Sequence, residues 1–112
     1  MSKRKTFGIF LSADDRIDVD LEFTGRTGAS PRIRRFAITY SARIRDRWWE
    51  VVRYDNFHGY LHRQRFWRSA KPERMPEREH LPIAALVERC RRDLRQNWRR
   101  YRMLREASLM EE

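Results

Sequence analysis

"RIDVDLEFT", residues 16–24, decides the fold. Ile17, Val19, Leu21 and Phe23 alternate strictly with Arg16, Asp18, Asp20 and Glu22. A period of two sends successive side chains to opposite faces of a strand, so one face is buried and the other is wet. Upstream, "TFGIFL" (6–11) reads as a first strand, "SADD" (12–15) as its turn and "MSKRK" (1–5) as a frayed basic arm. Downstream, "GRTGASP" (25–31) carries the Gly, Ser and Pro of a flexible loop. In "RRFAITYSARI" (34–44), Phe36, Ile38, Tyr40, Ala42 and Ile44 share one face. "RDR" (45–47) turns the chain into "WWEVVRYD" (48–55), whose apolar residues fall on both faces. That pattern predicts a central strand covered on each side. "NFHG" (56–59) then turns into "YLHRQRFW" (60–67). The spacing predicts an antiparallel meander of four or five strands over roughly 6–67.

"RSAKPERMPEREHLP" (68–82) holds three prolines and many charges, which predicts a crossing loop without a ladder. From Pro82 onward neither Gly nor another Pro occurs. Ile83, Leu86, Val87, Cys90, Leu94, Trp98, Tyr101 and Leu104 recur at helical spacing, predicting a helix over 83–110 with its stripe against the sheet. The expected fold is α+β: one domain (1–112), an antiparallel sheet of four or five strands with a long C-terminal helix packed on one face.

Composition points to a partner. The net charge is +10, and 23 of the 26 basic residues are arginine. Arginine presents a planar fork that suits phosphates and stacks on rings. A strongly basic, Arg-rich domain is the electrostatic footprint of a nucleic-acid binder. Six Phe, four Trp and four Tyr argue against disorder. Cys90 is the only cysteine, which excludes an intramolecular disulfide and a Cys-based zinc site and fits a reducing cytoplasm. The apolar run after the basic N-terminus is too short for a signal peptide, and no run approaches a membrane span. Gly-rich phosphate loops, Walker A and nucleophile-elbow motifs are absent, so no cofactor is expected.

Two groups of residues carry the functional expectation. Arg92, Arg95, Arg99 and Arg102 are spaced 3, 4 and 3 apart, so they stack along one side of the helix. With Arg91 and Arg105 nearby, such a strip can follow a phosphate backbone; the alternative is an ordinary solvated face. Only Glu88, Asp93 and Glu106 oppose the eight arginines between 89 and 105, and that repulsion favours an anionic partner. Arg63 and Arg65 in the last predicted strand would add phosphate contacts. RNA is the favoured nucleic acid, with an acidic protein or a second copy of the chain as other partners.

The second group is "VVRYDNFHGYLHRQRFW" (51–67), which holds Asp55, Asn56, His58 and His62. In an extended strand His58 and His62 would lie about 13 Å apart, too far to share one proton transfer. They meet only if the chain bends at Gly59. Were they to meet, metal-free RNA cleavage would use the histidines as base and acid. Arg53, Arg63 or Arg65 would steady the developing phosphate charge, with Asp55 orienting a histidine. The plainer reading makes Asp55 and Asn56 turn formers and the histidines sheet-surface residues. A metal site from Asp55, His58 and His62 is a weaker alternative. The exposed share of the aromatics could stack on bases.

This stretch resembles prokaryotic toxins of the TumE type and related families. The resemblance covers roughly residues 36–68 and rests on Arg53, Tyr54, Asp55, Asn56, His58 and His62. It implies a short antiparallel sheet whose central strand ends in an R-Y-D-N turn before a histidine-containing strand. It further implies a basic toxin acting on RNA and neutralised by an antitoxin. The histidine segment departs from that pattern by its Arg and Gln insertions, and the helix by its length and arginine content. The competing expectation is a non-enzymatic accessory subunit that docks through its Arg-rich helix on a larger assembly.

Overall fold

A computed structural model describes residues 2–25, 32–76 and 80–111. Its elements are β1 (Ser2–Ser12), β2 (Asp15–Thr24), β3 (Arg32–Ile44), β4 (Arg47–Asp55), β5 (His62–Arg65), β6 (Glu73–Arg74) and α1 (Ile83–Met110). The strands form one antiparallel sheet in the order β1-β2-β3-β4-β5-β6. The fold class is therefore α+β, with six strands rather than four or five. Chain order and sheet order coincide because at most seven residues separate consecutive strands, enough to join antiparallel neighbours but too few for a crossover.

The alternation in β2 sets the layers. Ile17, Val19 and Leu21 are buried beneath α1, while Arg16, Asp18 and Asp20 face outward. β3 repeats the pattern with Phe36, Ile38, Tyr40, Ala42 and Ile44 in the core. Leu86, Val87, Cys90 and Leu94 of α1 close that core, and Trp98 packs at its margin. The helix runs about 42 Å at 1.5 Å per residue, along a molecule 52 Å in its longest extent. Pro82 precedes it, where a missing N–H costs no hydrogen bond.

Four expectations are corrected. Residues 2–5 are not a frayed arm: Ser2, Lys3, Arg4 and Lys5 pair with Thr24, Phe23, Glu22 and Leu21, extending β1 to the end of its partner. The stretch 68–82 is not wholly without a ladder, because His62 and Arg63 pair with Arg74 and Glu73 as β6. Pro72 and Pro76 flank that two-residue strand rather than interrupt it. β4 is not covered on both sides. A register shift opposite Tyr40 and Ser41 leaves Val51 as an extra residue, so the consecutive Val51 and Val52 are both buried. The apolar doublet reports a β-bulge, not a second packed layer. Finally, the strand predicted over 60–67 shortens to 62–65, as residues 57–60 belong to the turn. The loop read over 25–31 lies outside the described residues beyond Gly25, as do 77–79.

Two local devices fix the hairpins. Arg45 and Asp46 both have positive φ, 54° and 64°, the two-residue turn whose twist matches the strands it joins. Between β1 and β2, Ser12 Oγ accepts from the Asp14 N–H at 3.0 Å and donates to Asp15 Oδ2 at 2.5 Å.

Candidate nucleic-acid interface

At about 100° per residue, three- and four-residue steps do not cancel, so a row of arginines drifts around a helix. Arg92, Arg95 and Arg99 stay on the solvent side and are exposed. Arg102 lies only about 20° round the helix from Arg95 by this count, but two turns further along it, where the β1–β2 turn and the end of β3 stand within its reach. Its side chain is only 23% exposed and contacts Asp15 Oδ1 at 2.8 Å and Glu106 Oε1 at 2.7 Å. It also donates to the backbone oxygens of Asp14 and Arg43, at 3.2 and 2.8 Å. Burial disfavours this charge, but Asp15 and Glu106 outweigh it and hold the guanidinium above its ordinary pKa. Arg102 is thus a staple between helix and sheet, and the expectation that it lines up with the exposed arginines is corrected.

Arg91 and Arg105 fold inward as well. Arg91 pairs with Glu88 and lies over the Phe7 ring. Arg105 donates to the Glu50 carbonyl at 3.1 Å and covers Trp49. Arg89 and Arg100, by contrast, join the exposed set. Arg89, Arg92, Arg95, Arg99 and Arg100 form an outer arc with no carboxylate within ion-pair distance among the described residues. Every acid between 83 and 110 is committed elsewhere. Glu88 holds Arg91, and Glu106 holds Arg102. Asp93 accepts from Tyr54 Oη at 2.6 Å, Tyr101 Oη at 2.8 Å and Asn97 Nδ2 at 3.0 Å. Asp93, counted from sequence as a counter-charge for the arginines, instead clasps helix to sheet. Burial first, and the Asp93 bond second, raise both phenols, Tyr101 to about 12.

Asp15, expected in the turn, is the first residue of β2 and forms a matching buried clasp. It is 3% exposed and accepts from Tyr40 Oη at 2.5 Å, as well as from Ser12 and Arg102. The only sequence clue was an acidic residue at the head of a strand whose next positions alternate.

The histidine segment does bend. Gly59 has φ +86°, a backbone conformation that side-chain-bearing residues rarely adopt, and His58 and His62 come to 5.4 Å between ring centroids, edge to face. His62 is 8% exposed, with the Tyr60 ring tilted over it at 4.3 Å and Arg74 over Tyr60 at 4.4 Å. His62 Nδ1 is buried and has no hydrogen-bond partner among the described residues. The rings touch rather than flank a phosphate-sized gap. Asp55 pairs across the ladder with His62, yet its carboxylate takes Arg53 Nε and the Phe57 N–H, both at 3.2 Å. Asn56 ties the turn to β3 by accepting from the Phe36 N–H at 2.8 Å. Among the described residues no group of three or more His, Cys, Asp or Glu is placed to hold a metal.

Arg63 and Arg65 are half-buried and both bind Glu73 of β6, with nitrogen–oxygen distances of 3.2 and 2.5 Å. The hydrogen bond from Arg65 contributes most to holding the Glu73 carboxyl below its usual range. These two arginines anchor the edge strand. Among the described residues no helix is long and apolar enough to cross a membrane.

These features define a small α+β protein with an arc of five exposed arginines on the outer side of its one long helix. The family model for a domain of unknown function, DUF7718, matches residues 1–106, and the chain belongs to that family. No curated protein and no solved structure matches it.

Proposed function

We propose that the protein binds RNA, gripping the phosphate backbone with the outer arc of α1. One observation carries this reading: five arginines share one solvent-facing arc while every acid on the helix is engaged elsewhere. Like charges three and four residues apart destabilise a helix by a few tenths of a kcal/mol per pair, and a polyanion removes that repulsion. Arg92, Arg95 and Arg99 follow one another at about 4.5 and 6 Å along the axis, a ladder of donors suited to successive phosphates. Arg63, Arg65 and Arg102 take no part in this grip. An acidic protein, the antitoxin-like partner that the TumE resemblance implies, would meet the same arginines and compete with RNA.

The test is fluorescence anisotropy of a labelled oligonucleotide across a salt series. Three to five phosphate contacts on a single strand give a slope of about −2 to −3.5 in log K against log salt. Salt-independent binding, or none, would remove the proposal. Metal-free cleavage is the second reading, favoured by the meeting of His58 and His62 at the Gly59 bend. Ring-on-ring packing and the diversion of Asp55 place it second. Incubating RNA with wild type, His58→Ala and His62→Ala in EDTA decides it: fragments from wild type alone would raise it to first place.

A further inference from the structure

Among the described residues no helix or strand covers the face of the sheet opposite α1. Cross-strand register places Gly8, Asp18, Thr39 and Arg53 in one row across β1 to β4. Small residues at Gly8 and Thr39 leave a depression of about 530 Å³, with Phe57 at one end. It shares Arg16 and Asp18 with a second hollow of about 400 Å³ between Phe10 and Trp48. The two adjoin at these shared residues and together form a trough with Arg16 and Asp18 at its middle. Its aromatic ends are unusually open: Phe10 is 61% exposed, Trp48 48% and Phe57 42%.

Each end pairs a ring with an arginine. Arg16 lies over Phe10 at 5.3 Å and Arg53 over Phe57 at 5.7 Å. Both arginines are held flat by carboxylates, Arg16 by Asp18 at 2.8 Å and Arg53 by Asp55 at 3.2 Å. Gly8 makes room for this, since a Cβ there would sit 2.7 Å from the Arg16 guanidinium. Trp48 and the Arg53–Phe57 pair are separated along the strands by about four residues, or roughly 13 Å. The trough therefore offers two stacking stations, with carboxylate acceptors and guanidinium donors between them.

We propose that this trough is a platform for unpaired bases, making the ligand single-stranded nucleic acid rather than a duplex. The inference rests on the RNA-binding reading above and deepens it. Every base has a face that stacks on Phe10, Trp48 or Phe57, while the Arg–Asp pairs meet base edges with donors and acceptors. The trough is nearly charge-balanced, so it supplies base contact; the net charge of +10 draws in the phosphates. A duplex buries its base faces and has nothing to offer the rings.

The test uses the full chain with labelled oligo(A), oligo(U) and their duplex. The expected result is tighter binding of the single strands, with quenching of tryptophan emission that is lost in Trp48→Ala. Phe10→Ala and Trp48→Ala should each weaken single-strand binding about fivefold or more and leave duplex binding unchanged, with Trp48→Phe restoring most of it. Gly8→Ala, which displaces only a flexible guanidinium, should weaken it as well. Equal affinity for single strands and duplex, unaffected by Phe10→Ala or Trp48→Ala, overturns the platform while the helix reading stands. Failure to bind any of the three probes overturns both. A dimer that falls apart in Phe10→Ala/Trp48→Ala while RNA affinity stays constant also overturns the platform and assigns the trough to a second copy.

Discussion

The trough of the sheet and the outer arc of the helix are both lined with arginine, yet electrostatically they are opposites. In the trough, Arg4, Arg16 and Arg53 each meet an aspartate, at Asp20, Asp18 and Asp55. On the arc, Arg89, Arg92, Arg95, Arg99 and Arg100 have no carboxylate within ion-pair distance among the described residues, and Arg99 and Arg100 lie over the Trp98 and Tyr101 rings. The cause is geometric. A strand sets every second residue on one face, so "RIDVD" puts Arg16, Asp18 and Asp20 side by side. A helix sets residues three and four apart on one face, and at those intervals this chain repeats arginine. Net charge states how much positive charge a protein carries; the period of its secondary structure states where it stays unbalanced.

The sharpest way to break the contrast is at Asp15, where an arginine is paired and buried. Asp15→Ala strips the buried Tyr40 hydroxyl of its acceptor and takes one partner from Arg102, which keeps Glu106 and two backbone oxygens, and should cost about 2–4 kcal/mol in urea unfolding. The folded protein should keep its RNA affinity. A loss no larger than that of an exposed pair would end the distinction between stapled and free arginines. Next in size is the arc itself. Arg92→Glu/Arg95→Glu/Arg99→Glu should lower RNA affinity about a hundredfold at low salt and flatten the salt slope by about two. Its melting temperature should hold or rise, because repulsion is relieved.

A third prediction uses pH. Tyr101 has a folded pKa of about 12 against an ordinary 10.0, and Tyr40 and Tyr54 are raised as well. A raised folded pKa means that this stability is complete below pH 10 and is lost as pH climbs through 12. Tyr101 should account for about 2–3 kcal/mol of that loss. Urea midpoints measured across this alkaline range should fall for wild type and fall less for Tyr101→Phe. The smallest effect belongs to the trough: Asp18→Asn breaks an exposed pair and should cost under about 1 kcal/mol by thermal melting.

The larger elements were legible because their periodicity was uninterrupted. β2 alternates without exception, and the stretch after Pro82 contains no breaker, so the helix was bounded at 83 and 110 as observed. What stayed hidden depended on partners. Lys3 and Lys5 look like a loose arm until Phe23 and Leu21 lie beside them. Glu73 and Arg74 form a strand because Arg63 and Arg65 grip Glu73. The bulge at Val51 imitated a strand buried on both faces. In the candidate site, the convergence of His58 and His62 turned on one torsion at Gly59, which sequence permits without requiring. Helix geometry sets Arg102 within about 20° of Arg95, so its separate fate rests on the β1–β2 turn beside it, which the sequence does not place.

The two margins of the sheet are unequal. β1 offers eleven residues of edge, guarded by Lys3, Arg4 and Lys5, whereas β6 offers two. A strand docking from outside finds useful length on one side only. If two molecules were to join along that margin, each would consume its partner's long edge, and neither would have another to give. Association by strand pairing would then stop at two copies, so the fold resists fibre growth by its asymmetry as well as by its charge.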